Sequence, residues 1–278
     1  MTDKARMGPS SVRYLAWLVL TLAATQPLAA AELRVAGTGA GLGVVTELAD
    51  RYRRSHPELK VEIHPSLGSS GALKALKAGA IEVAISARPL KEDEKAAGLT
   101  QTPMSRTALA LVTSHRTPPA SLSSEQVMAI YGASPPPWSD GVPLRVVLRP
   151  ESDTDTRLLR NAIPSIGGNL ERLYASGSVP TAATDQDAAN QIASIPGSFG
   201  LLSLSLVTEL GGALRVVPFN VVKPSLETVA SGSYPMIKSF YLVVSAKAGD
   251  VVQGFLRYAR SREAQEVFRR HGHVQDGG

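Results

Sequence analysis

The chain is predicted to be an α/β protein with two lobes, each a mixed, mostly parallel sheet flanked by helices, joined by a two-stranded hinge. Three observations predict this. After residue 31 the sequence alternates strand-like and helix-like segments in βαβαβ order, which favours a largely parallel sheet with helices on its faces. Two longer strand-like runs, TALALVTSH (107–115) and SFYLVVSA (239–246), bracket a middle region with its own alternation. A helical stretch, roughly 250–271, follows the second run and would close the first lobe. A segment inserted between two strands of another domain gives two lobes with a two-stranded crossover. The expected division is 1–31 as a leader, 32–110 with 236–278 as lobe I, and 111–235 as lobe II.

Each element has a local reason. LRVAG (33–37) alternates apolar and polar residues, as a half-buried strand does. In VVTELADRYRR, residues Val44, Val45, Leu48, Ala49 and Tyr52 recur at helical spacing. KVEIHPS is a second strand, GALKALKAG a second helix that Gly79 is placed to end, and IEVAISARPL a third strand. The middle region offers SSEQVMAIY as a helix, a proline-rich loop GASPPPWSDG, the strand LRVVLRP, and the helices TRLLRNA and DQDAANQIASI before GSFGLLS.

The first 31 residues carry the pattern of an export signal. Lys4, Arg6 and Arg13 form a basic start, residues 14–24 an apolar run, and Ala29-Ala30-Ala31 a small-residue cleavage site before Glu32. The run is too short to span a bilayer comfortably. The formal charge is +5; losing three basic residues and one acid with the leader lowers it to +3. The remaining Lys and Arg are scattered without interleaved aromatics, so nucleic acid is not an expected partner. With no cysteine there is no disulfide, no thiol chemistry and no lipid-modified N-terminal cysteine. These features suit a free, monomeric protein of a bacterial periplasm.

Three loops share one logic. In AGTGAGLGVVTEL, HPSLGSSGALKAL and LRPESDTDTRLL, a strand runs into Gly, Ser or Thr residues that open a helix. A helix N-terminus leaves backbone N–H groups without partners and carries partial positive charge, and small residues let a ligand approach it. Each loop is a candidate anion cradle, although Ser, Thr and Asp also cap helices for purely structural reasons. Their number, and their spread over both lobes, favours a shared ligand beyond the carboxyl ends of the strands. Nucleotide motifs fit poorly. Three residues after Gly39 stands Leu42, where a dinucleotide loop needs Gly or Ala, and no Gly-Lys-Ser/Thr occurs. No cofactor is expected. His271 and His273 form the closest histidine pair, but no acid or third histidine has ligand spacing beside them; near the chain end they read as solvated, and no metal site is expected. SLGSSG lacks the nucleophile-elbow pattern, and no other catalytic constellation is visible.

These loops, with segments between them, resemble the phosphate-binding proteins of ABC-type importers, within the periplasmic binding protein class. The likeness covers nearly all of Glu32–Gln275. AGTGAGLGVVTELADRY is similar to that family's first phosphate loop and SLGSSGALKALKAGAIEVAISARPL to its second loop and following strand. IYGASPPPWSDG resembles the stretch around its tryptophan, here Trp138. IPGSFGLLSL, SGSYPMIKSFYLVVSA and REAQEVFRRHG match later segments in order. The resemblance implies a receptor that closes on phosphate or a similar oxyanion and presents it to a membrane permease, without catalysis. By position, Thr38, Gly39 and Ala40 would bind from the first loop and Ser69, Ser70 and Gly71 from the second. Arg149 with Ser152, Asp153 and Thr154 would bind from the third. A sensing or adaptor protein on the same fold, or a binder of molybdate, tungstate, sulfate or an organic phosphate, fits the same pattern. A phosphoesterase would need a nucleophile or a metal cluster.

Two departures stand out. The family often has an aspartate after the third strand; here ISARPL places Arg88 in that neighbourhood. The third loop instead carries Asp153 and Asp155. Either could take over the role of accepting the proton of hydrogen phosphate, with Arg88 adding positive charge, or both could cap the helix that follows.

Overall fold

The computed structural model describes residues 32–276, so the predicted leader lies outside the described residues. In chain order the elements are β1 (Glu32–Gly37), α1 (Gly39–Arg54), β2 (Lys60–Ile63), α2 (Gly68–Lys77), β3 (Val83–Ser86), α3 (Glu92–Ala96) and β4 (Leu99–Thr113). Then come α4 (Ser124–Ile130), β5 (Arg145–Val146), α5 (Thr154–Ala162), α6 (Gly167–Ser176), α7 (Asp185–Ser194), β6 (Ser198–Ser203), α8 (Leu204–Glu209) and β7 (Arg215–Val217). The chain ends with α9 (Leu226–Ala230), β8 (Ile237–Ser245), α10 (Asp250–Ala259), α11 (Arg262–Arg270) and β9 (Val274–Gln275).

The strands form one path, β2-β1-β3-β8-β4-β6-β5, with β7 and β9 also on β4. β1 runs parallel to β2 and β3 through single-helix crossovers, and β5 runs parallel to β6 through a long crossover that holds α5, α6 and α7. Every antiparallel pair includes β4 or β8. The runs read from the sequence, 107–115 and 239–246, fall largely within these two strands, but β4 begins at Leu99, eight residues before the first run. β4 and β8 pair from Leu99↔Ser245 to Ala108↔Ile237, with a register shift between Pro103 and Ser105. From Leu109 onward β4 pairs instead with β6 and β7. One strand thus serves two sheets.

The apolar periodicities decide the packing. Val44, Val45, Leu48, Ala49 and Tyr52 of α1 are buried with Phe255 of α10 and Phe268 of α11. Ala72, Leu73 and Leu76 of α2 cover the other face of β1 and β3. Trp138, Tyr131, Phe199 and Phe219 centre a second core around β6, and Trp138 Nε1 donates to the Gly197 carbonyl at 2.9 Å.

Three expectations change. The last helix is two helices, because the Ser261 hydroxyl accepts from Ala264 N and restarts the chain as α11. LRVVLRP is a strand only at Arg145–Val146, followed by a single bridge from Leu148 to Thr181. His273 is fully buried beside Phe240 and Phe268, with Nδ1 3.1 Å from the Ser105 hydroxyl, so it is not solvated. Burial lowers its pKa to about 3, which keeps the ring neutral.

Candidate functional site

The second and third loops meet. The N-termini of α2 and α5 border a cavity of about 170 Å³. Of the residues predicted from sequence, Ser69, Ser70, Arg88, Ser152, Asp153 and Thr154 line it, whereas Gly71, the fourth residue of α2, does not. Gly68 adopts φ +63°, a left-handed turn that a side chain would strain, and this turn starts α2. No side chain caps α2, and its first turn holds no acid, so its leading N–H groups are free to face an anion. Ser69 accepts from Ala87 N at 2.9 Å, which leaves its own hydroxyl proton to donate. Ser70 and Ser152 have no side-chain hydrogen bond among the described residues. A larger cavity, about 350 Å³, adjoins the first and shares Arg88, Thr154 and Arg157 with it.

The charges in this cavity differ from the expectation. Arg88 is committed to Glu94 through two bonds of 2.7 and 2.8 Å, and that pairing lowers the Glu94 carboxyl to about 2. Asp153 caps α5: one oxygen accepts from Asp155 N at 2.9 Å and the other from Arg149 Nη2 at 3.1 Å. The cation left for a ligand is Arg157. It donates to Thr154 Oγ1 at 2.9 Å and pairs with no carboxylate among the described residues. The sequence reading did not single out Arg157. Its position one turn into a helix that begins with a capping aspartate was the available signal.

The first loop faces something else. Thr38, Gly39, Ala40 and Arg149 do not line the 170 Å³ cavity. They surround the carboxylate of Asp185, the first residue of α7. Asp185 Oδ2 accepts from Thr38 Oγ1 at 2.7 Å and from Ala40 N at 3.2 Å. Asp185 Oδ1 lies 3.2 Å from Lys238 Nζ and 3.6 Å from Arg149 Nη2. Lys238 Nζ also pairs with Asp155 Oδ1 at 2.7 Å, and Arg149 Nη1 donates to the Ala182 carbonyl at 2.8 Å. Thr38, Arg149, Asp155, Asp185 and Lys238 are all buried. A Cβ at Gly39 would meet the side-chain amide of Gln186 in α7, the movable end of a flexible side chain.

Burial alone would favour the neutral form of every one of these groups. For Asp185 burial is outweighed by Lys238, Arg149 and the bonds from Thr38 and Ala40, so its carboxyl is held below the usual range. Lys238 overcomes burial through Asp155 and Asp185 and stays charged. Three carboxylates, Asp153, Asp155 and Asp185, share two cations, so one must be the weaker acid. Asp155 is that group: burial raises it to about 6, Lys238 opposes, and Asp153 and Asp185 add to the rise. Sequence reasoning missed Asp185 and Lys238. Lys238 is the one charge in the otherwise apolar and hydroxylic run of β8, and Asp185 follows the capping residue Thr184. Each alone reads as ordinary.

Among the described residues two serines contact a histidine: Ser105 and His273 are both fully buried, while Ser55 and His56 are sequence neighbours at the end of α1, with Oγ 3.1 Å from Nδ1. Among the described residues no cluster of His, Asp and Glu has the arrangement to hold a metal ion. No helix among them is long and apolar enough to cross a membrane.

A mixed sheet shared by two sets of βα units, with helix N-termini gathered where strands end, defines a two-lobed ligand-binding fold of the periplasmic type. Residues 22–263 match the PBP superfamily domain, and the chain belongs to that superfamily. It is 22% identical over 248 residues to the phosphate-binding protein PstS of Bacillus subtilis, covering 86% of this chain and 78% of that protein. A Clostridium perfringens protein assigned to phosphate ABC transport as substrate-binding component, and crystallised with bound phosphate, superposes with a TM-score of 0.76. It is 20% identical and covers 88% of this chain and all of that one. An ABC-type phosphate transport receptor of Vibrio cholerae superposes at 0.63, with 18% identity and the same coverage.

Proposed function

We propose that this protein is a periplasmic solute-binding protein that captures an oxyanion, phosphate first, and delivers it to an ABC-type permease. The observation that carries the reading is the convergence of two helix N-termini, α2 and α5, with unpartnered Ser70 and Ser152 hydroxyls and the Arg157 guanidinium on one 170 Å³ cavity. An uncapped helix start, hydroxyl donors and one uncommitted cation are what a small tetra-oxo anion needs. At about 30 Å³ per water, the space holds such an ion with a few waters. The names of the relatives in phosphate transport agree with this chemistry.

The reading gives Ser69, Ser70 and Gly71, with Ser152 and Thr154, the role of supplying hydroxyl and backbone donors. Arg88 and Asp153 shape the wall while bonded elsewhere. Lobe I comprises residues 32–110 and 236–278 and lobe II residues 111–235. Support for that division is the change of β4 partners from β8 to β6 between Ala108 and Leu109. The protein acts as an exported monomer with Glu32 as its first mature residue. It binds and releases its ligand without chemistry.

Thermal shift and calorimetry against phosphate, sulfate, molybdate and tungstate test the reading, because a ligand that binds only the folded state raises its melting temperature. Saturable binding of at least one oxyanion, weakened by Ser70→Ala, is expected. No shift with any of them at millimolar concentration would remove the receptor function.

A further inference from the structure

The first loop is built like an anion cradle, yet it is already filled. α1 is sixteen residues long, has no side-chain cap at Thr38 and no acid in its first turn. Its buried positive end is therefore unanswered by its own helix. The answer comes from 145 residues further on, where Asp185 accepts from the Ala40 amide and also from the Thr38 hydroxyl. Two buried cations stand at the same point. Lys238 is 1% and Arg149 6% exposed. Arg149 Nε is buried with no hydrogen-bond partner. The Asp185 carboxylate itself belongs to α7, whose own first turn is satisfied separately by the Thr184 and Asp187 capping pair. Asp185 is therefore not needed to cap its own helix.

Charge balance sharpens the point. Lys238 and Arg149 are matched by Asp155 and Asp185, with Asp153 at the margin. An external dianion entering beside Thr38 would meet this balanced set and would have to expel Asp185 first.

We propose that Asp185 is a resident anion, a tethered carboxylate that occupies the first-loop cradle in place of an external oxyanion, so that this loop is a latent second site for small oxyanions and carboxylates. The inference rests on reading the loops as anion cradles, and it assigns external ligand to the second and third loops alone.

Removing the carboxylate unmasks the site. Asp185→Ala leaves two buried cations facing one fully buried partner, with the Thr38 and Ala40 donors vacated. Isothermal titration with inorganic phosphate, and separately with formate, compares this variant with wild type and with Asp185→Asn. Asp185→Ala is expected to bind one more phosphate per chain than wild type, whatever the wild-type number is, and formate is expected to compete for the added site. Asp185→Asn, whose amide fills the space, gains none. A folded Asp185→Ala protein with no added phosphate or formate binding overturns the proposal.

Should that variant not fold, selenate soaked into wild-type crystals decides by its anomalous signal. Selenate beside Thr38 and Ala40 with Asp185 turned away overturns the proposal, whereas its absence there upholds it. Failure of the receptor reading is distinguishable, since it appears as a wild type that binds no oxyanion. Even then, a change from none to one in Asp185→Ala would uphold the resident anion.

Discussion

Replacing Lys238 by methionine tests whether the buried charges are a single dry unit. Lys238 is 1% exposed and its ammonium lies 2.7 Å from Asp155 and 3.2 Å from Asp185. At an effective dielectric of about 20, Coulomb's law gives roughly 6 and 5 kcal/mol for these two contacts. Desolvating the ions consumes several kcal/mol each, so the net worth of the intact cluster is far smaller than that sum. Breaking it is a different matter. Methionine matches the length of the stem but leaves two buried carboxylates with only Arg149 nearby, and such a change costs about 3–5 kcal/mol. Against a total stability of about 5–15 kcal/mol, that is a large share. For a protein of this size it corresponds to a fall in melting temperature of about 6–20 °C. Urea unfolding, with the slope checked for constancy, measures the loss. Adding Asp155→Asn to Lys238→Met removes one orphaned carboxylate and should recover at least about 1 kcal/mol. A single variant within about 1 kcal/mol of wild type would refute the argument, because it would mean that water already reaches the cluster and screens it.

Two further outcomes follow from the same geometry. Arg157→Gln removes the one guanidinium on the cavity wall without a carboxylate partner; a lost charge-assisted bond of about 1.5–3 kcal/mol corresponds to oxyanion affinity reduced roughly 10- to 150-fold by calorimetry, and unchanged affinity would take Arg157 out of the site. Asp155 is raised in the folded protein to about 6 from an ordinary aspartate value near 3.9, so the folded state holds its proton more tightly than the unfolded chain. Its contribution to stability is therefore full below about pH 4 and lost as pH rises to about 6, a fall on the order of 2–3 kcal/mol that Asp155→Asn should abolish; stability from this group that instead rises across the window would contradict it.

Much of the fold could be read from periodicity because the elements that carry it are decided locally. The apolar stripe of α1 and the alternation of β1 need no distant partner to be recognised, and the apolar runs of β8 and of the second half of β4 stand out by themselves, whereas the more polar first half of β4, from Leu99, does not. What periodicity does not carry is a single hydroxyl. Ser261 splits the C-terminal helix by capping α11, yet the stripe continues through Val252, Phe255, Leu256, Ala264, Val267 and Phe268 as if unbroken. The site divides in the same way. Ser69, Ser70, Ser152 and Thr154 sit at helix starts that sequence marks directly. Asp185 and Lys238 acquire meaning only from each other, 53 residues apart, and from Asp155 earlier in the chain, and no local pattern encodes that pairing. Arg88 shows the reverse case: its place beside the second loop was legible, while its engagement by Glu94 was not.

The acidity of the third loop bears on selectivity between phosphate and sulfate. A free carboxylate facing the ligand would accept the proton of hydrogen phosphate and would be left unpaired by sulfate, a penalty of about 1–3 kcal/mol, or roughly 5- to 150-fold. Here each candidate acceptor is spent within the protein. Asp153 holds Asp155 N and Arg149, Asp155 faces Lys238, and Asp185 faces Lys238, Thr38 and Ala40. Glu94, paired with the cavity-wall residue Arg88, is held by two bonds from that guanidinium and one from Lys91 N. The donors that remain, helix N–H groups, serine hydroxyls and Arg157, attract either ion through its oxygens. Phosphate and sulfate are accordingly expected to bind at pH 7 within about fivefold of one another, a difference of about 1 kcal/mol. Competition calorimetry with both ions at one ionic strength measures the ratio. A preference for phosphate above about a hundredfold would require a carboxylate to leave its present partners and turn to the ligand, with Asp153, the half-buried one, first in line; Asp153→Asn would then erase the preference.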